Sequence, residues 1–124
     1  MTFESLISEA CSRFPEVQTE FEMQKRAGDI DESLGQHIFF SFVFDKILFR
    51  AIDKKKEDIV QSMFIFLEEM ETSGDSNIAE VVEFTTLEEL CDDYRNVQFE
   101  KYLGSETKLA LKAIREYMPE QAQL

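Results

Sequence analysis

The chain has 124 residues, 44% of them hydrophobic, with 26 acidic and 13 basic residues and a formal charge of −13. This length and hydrophobicity suit one compact domain and exclude a disordered acidic tail, which lacks the apolar surface to offset chain entropy. Twelve acids and no lysine or arginine lie between Glu57 and Asp93, leaving 26 − 12 = 14 acids against 13 bases elsewhere, so the charge is local. A field of this sign attracts basic partners and repels phosphates.

Taken in chain order, Phe3, Leu6, Ile7, Ala10, Cys11 and Phe14 form one helical stripe that Pro15 stops or redirects. The opening Met1-Thr2-Phe3-Glu4 lacks the basic region and apolar run of a secretory signal, so a cytoplasmic location is expected. Val17 to Met23 alternates as a half-buried strand would, although it can also be helix. Gly28 to Gly35 reads as a polar loop with a helix-start signal. The Phe-rich run from His37 to Ile52 leaves only Ser41, Asp45 and Arg50 as a narrow polar stripe, which makes it the central helix. It is too short and too interrupted to span a membrane.

Lys54-Lys55-Lys56 followed by Glu57-Asp58 fits one helix ending and another beginning, each charge opposing the local dipole. The next helix buries Ile59, Val60, Met63, Phe64, Phe66, Leu67 and Met70 and ends at Ser73-Gly74-Asp75. Asn77 with Glu80 can cap the following one. Its pattern puts Phe84, Leu87, Leu90, Cys91 and Tyr94 on one side, with Thr85, Glu88, Glu89, Asp92 and Asp93 on another. After Phe99, Tyr102, Leu103 and Gly104, Ser105 can cap a last helix carrying Leu109, Ala113, Ile114 and Tyr117, which Pro119 closes.

Catalytic signals are sparse. His37 is the only histidine and has no nucleophile motif around it, and a di-metal bundle site needs more than one histidine. Asp29-Ile30-Asp31-Glu32-Ser33-Leu34-Gly35 begins like a calcium loop, but its glycine is displaced and Phe40 stands where the closing carboxylate belongs. Cys11 and Cys91 are far apart and suit buried free thiols in a reducing compartment. No catalytic residue, cofactor or metal is expected, nor direct nucleic-acid or membrane binding. On the acidic helix, Glu88 with Asp92 and Glu89 with Asp93 are like-charged pairs that each cost roughly 0.2–0.5 kcal/mol; a solvated face normally intersperses lysines, so a docking surface for a basic protein stands beside a solubilising face as the two readings.

Phe64-Ile65-Phe66-Leu67-Glu68-Glu69-Met70 is echoed by Phe84-Thr85-Thr86-Leu87-Glu88-Glu89-Leu90, and one echo is too little for a solenoid. With these segments and Tyr102-Leu103-Gly104-Ser105-Glu106-Thr107-Lys108, the chain resembles small acidic bacterial immunity proteins, particularly those of contact-dependent growth inhibition and related polymorphic toxin systems. The resemblance implies a cytoplasmic, non-enzymatic protein that binds one cognate toxin domain and blocks it, with a basic nuclease as the favoured toxin.

A single all-α domain spanning residues 1–124 is therefore expected, with about six helices that can pair as antiparallel hairpins. The expected function is stoichiometric inhibition of a basic toxin domain. Glu68, Glu69, Glu71, Asp75, Glu88, Glu89, Asp92 and Asp93 supply the contact field, and Tyr94 is an aromatic anchor. The alternatives are a non-inhibitory acidic adaptor for a basic cytosolic protein and a small enzyme using buried carboxylates.

Overall fold

The computed structural model describes residues 1–31, 33, 35–93 and 96–117, and among them six principal helices and no strand are found. They are α1 (Leu6–Arg13), α2 (Pro15–Ala27), α3 (36–53), α4 (Glu57–Glu71), α5 (76–91) and α6 (Ser105–Tyr117). Short helical turns, Asn96–Phe99 and Glu100–Tyr102, lead into α6. This is the all-α architecture that the periodicity predicts. The ambiguous 17–23 stretch lies within α2, where Val17 and Phe21 face the core four residues apart.

Helix boundaries follow from local chemistry. Pro15 occupies the first position of α2, where its missing N–H costs nothing. Gly28 ends α2 in the left-handed region at φ 79°, and the Asp29 N–H returns to the Gln24 carbonyl at 3.0 Å. The same closure after α3 uses Lys55 at φ 56°, with the Lys56 N–H on the Ala51 carbonyl at 2.9 Å. The lysine run is thus a helix end, and Glu57 starts α4. Asp75, rather than Asn77, caps α5: its carboxylate accepts from the Asn77 N–H at 2.9 Å. Asn77 stands two residues inside that cap and is its donor.

Helix α3 packs against α1, α2, α4 and α5, while α6 rests on α4 and α5. Phe14, Phe44 and Phe66 meet in a triangle of ring centroids 5.7–6.0 Å apart, tying α1, α3 and α4 together. On the other side of α4, Phe64 stacks with both Phe99 and Tyr102 at 6.0 Å. Glu20 clamps α2 to α3, with Lys46 at 3.0 Å and Arg50 at 3.3 Å. Burial works to raise its pKa, but hydrogen bonds from Gln24, Lys46 and Arg50 outweigh it and hold the carboxylate below its ordinary value.

Two helices contain a wide π-turn. In α3 the turn covers Phe40–Phe44 and the Asp45 N–H bonds the Phe40 carbonyl; in α5 it covers Val82–Thr86 and the Leu87 N–H bonds the Val82 carbonyl. In α5 the cause can be read in the residues. Ile78, Val81, Val82, Thr85 and Thr86 form one buried stripe, Leu87, Leu90 and Cys91 another, and the two are offset by one residue. The wide turn absorbs the offset and delivers both stripes to the core.

This phase shift corrects several expectations. Phe84 is turned outward, 56% exposed, whereas Thr85 and Thr86 are buried. Asp45, on the narrow polar stripe of α3, is fully buried, whereas Arg50 of the same stripe is exposed. The echo between residues 64–70 and 84–90 is therefore not structural, since Phe64 is core and Phe84 is surface. In α6 the buried positions are Thr107, Leu111 and Ile114, while Leu109 is 61% exposed and Ala113 is also exposed. The side chain of Tyr117 lies outside the described residues, as do Glu32 and Leu34 of the 29–35 loop.

Candidate protein-binding site

The two π-turns face each other, and polar side chains link them. His37 Nδ1 lies 2.7 Å from Thr85 Oγ1, the Ser41 hydroxyl donates to Glu89, and Thr86 Oγ1 donates to Asp45 Oδ1 at 2.8 Å. Asp45 is pushed well above the carboxylate range, by burial first and then by its hydrogen bond with Glu89 and the charge of that residue. Burial and the facing Glu89 carboxylate both favour the protonated form of Asp45, whose O–H can serve Glu89. Glu89 is thereby drawn into an internal seam.

Glu68 is also committed within the chain. Its Oε1 accepts from the Thr107 N–H at 2.9 Å and from Thr107 Oγ1 at 2.6 Å, and its Oε2 accepts from the Glu106 N–H at 3.0 Å. A side chain of α4 thus caps α6, where negative charge also meets the positive end of the helix dipole. Burial tends to raise its pKa, but these three hydrogen bonds prevail and lower it.

The remaining acids of the field divide into two groups. Glu69 pairs with Arg13, Asp75 caps α5, Asp92 is exposed and Asp93 is half-buried. Tyr94 lies outside the described residues. Glu71 and Glu88, in contrast, line a groove of about 460 Å³ with Glu83, Phe84, Glu106, Leu109, Ala110, Ala113 and Ile114. Its floor is apolar and its walls carry four carboxyls from three helices. Among the described residues no lysine or arginine forms an ion pair with any of the four, and no base lines the groove.

Glu71 and Glu83 form the second carboxyl pair. Burial, the Glu83 charge and the hydrogen bond to Glu83 push Glu71 up to about 8, with Glu68 and Glu106 adding to the repulsion. Among the described residues the buried side-chain oxygens without a partner are Asp45 Oδ2 and Glu71 Oε1. Each belongs to a carboxyl facing a second one, and a shared proton meets the need in both pairs. Glu88 is raised by burial and by the Asp92 charge.

The acidic stretch 57–93 pointed to Glu71 and Glu88. Glu83 lies in the same stretch but was hidden among residues without a spacing signal, and Glu106 comes from a segment of balanced charge. Helical spacing puts Phe84 on the same side as Leu87 and Leu90, and Leu109 among the apolar residues of the last helix. Leu109 had a usable signal: Thr107, Leu111 and Ile114 already form a three- and four-residue stripe that leaves it out.

The model of a family described as a domain of unknown function, DUF7674, matches residues 7–121. The chain belongs to that family. Comparisons with curated proteins and with solved structures give no match. No helix among the described residues is long and apolar enough to cross a membrane.

Proposed function

We propose that this protein is an immunity protein: it binds one cognate basic toxin domain, preferentially a nuclease, and neutralises it by forming a stoichiometric complex rather than by chemistry of its own. The observation that supports this reading is the groove between α5 and α6, where four carboxyls surround exposed Phe84 and Leu109 and none has an internal counter-ion among the described residues. Like charge gathered without compensation costs folding free energy, and a basic partner turns that cost into attraction and fast association. A nuclease suits this surface because a groove built to hold polyanionic backbone welcomes carboxylates in the phosphate positions.

Capture of a basic partner protein from the producing cell, followed by co-expression with the captured protein, tests the reading. Protection of the host cell and a one-to-one complex are expected, and reversing the groove acids Glu83, Glu88 and Glu106 to lysine should slow association and abolish protection. Binding without protection would instead favour the adaptor, and full protection by the folded reversed variant would remove this face from the interface.

A further inference from the structure

We propose that the groove between α5 and α6 receives an amphipathic cationic segment of the partner protein, whose apolar side chains cover Phe84 and Leu109 while a lysine or arginine terminus sits on the Glu71 and Glu83 carboxyls. The inference builds on the reading of the chain as a binder of a basic protein and adds the place, the ligand chemistry and a proton.

The groove's composition selects the occupant. A hydrated inorganic ion could meet the carboxyls but would leave Phe84 and Leu109, both more than half exposed, uncovered. Among the described residues no cluster of three or more ligating side chains could hold a metal. A lysine or arginine has an alkyl stem for such a floor and a charged end for its wall, and neighbouring leucine-like side chains extend the apolar contact. Glu71 from α4, Glu83 and Glu88 from α5 and Glu106 from α6 supply the charge, and Glu68 of α4 adds to the field on Glu71.

The seat on Glu71 and Glu83 is not empty in the free protein, because the pair holds a proton at neutral pH. A positive side chain arriving there makes the proton unnecessary and unfavourable, so it passes to the buffer. Binding therefore releases about one proton per complex at pH 7 and tightens as pH rises.

The probe is a synthetic helical peptide with leucines on one face and lysines on the other, titrated calorimetrically in phosphate and in Tris at pH 7, with backbone amide NMR to locate it. Amide shifts around Phe84 and Leu109, and a heat difference between buffers equal to about one released proton, are expected. Glu71→Gln hardly alters the free protein's charge at pH 7 but removes a charge from the complex. It should bind about tenfold more weakly and release no proton. Phe84→Ser with Leu109→Ser should weaken binding to a similar extent, thermal melts showing that both variants fold. A peptide with serine in place of leucine, and free spermidine, should bind far less well.

Absence of peptide binding, unchanged binding by the variants, or equal affinity for spermidine or the serine peptide would overturn the proposal. Peptide binding as described without protection from a toxin would leave the groove standing and remove the inhibitor reading. Protection that persists in variants unable to bind the peptide would do the reverse.

Discussion

Gly104 lies so close to Glu68 that a Cβ at this position would stand 2.4 Å from the Glu68 carboxyl carbon. The glycine makes room for a carboxylate held at the start of α6 by three hydrogen bonds. Gly104→Ala should displace Glu68 and cost about 1–2 kcal/mol, as should Glu68→Ala, and the two losses should not add because they remove the same cap. Urea unfolding of both single variants and the double variant measures this. Because Glu68 titrates lower folded than unfolded, its contribution is present above the unfolded value near 4.3 and is lost as pH falls through the folded one. Glu68→Gln should lack that acid-side loss.

Glu71 carries the opposite sign. Its folded value of about 8 lies above the unfolded one. Between roughly pH 4.3 and pH 8 the folded state holds a proton that the unfolded state has released, so stability falls as pH rises through that window and levels off above it. Glu71→Gln should remove this slope and stabilise the protein at pH 9 by on the order of 1 kcal/mol, the full conversion being trimmed by solvent on its exposed side. Unfolding at pH 6 and pH 9 gives the comparison.

Because burial and Glu89 favour a protonated Asp45, Asp45→Asn, which keeps an acceptor for Thr86 and a donor for Glu89, should change stability by less than about 1 kcal/mol. Asp45→Ala strands the Thr86 hydroxyl and opens a cavity, and should cost about 2–3 kcal/mol. Chemical unfolding separates the two. A large loss in the asparagine variant would mean that Asp45 is ionised in its buried site.

Phe64 and Phe84 hold equivalent places in the sequence echo and opposite places in the fold. Phe64→Ala should cost about 3–5 kcal/mol and Phe84→Ala within about 0.5 kcal/mol. Equal losses would show that α5 keeps its phase through residues 82–86 and lacks the wide turn.

That pair of residues also shows where sequence periodicity stops being informative. The helices themselves were legible because Pro15, Gly28, the Lys54 to Glu57 charge change and Ser73 to Asp75 mark their ends by local chemistry, and α1 and α4 bury largely the stripes that their spacing predicts. A π-turn is not local in that sense. It is favoured only because two stripes offset by one residue must meet the same core, and that core is built by other helices. Reading Leu87, Leu90 and Cys91 backward at α-helical spacing therefore put Phe84 inside and Thr85 outside. The site was legible to the same degree. Charge density pointed to Glu71 and Glu88, but it could not tell them from Glu68 and Glu89, whose charges are used within the chain by Thr107, Asp45 and Ser41.

The Glu71–Glu83 pair also changes how the protein would move in an electric field. With Glu71 pushed up to about 8, its proton is held at neutrality and given up in mildly alkaline solution. Ordinary carboxylates finish titrating well below that point. This chain therefore gains electrophoretic mobility toward the anode on passing from neutral to mildly alkaline solution, at a pH where side chains of its composition normally change little.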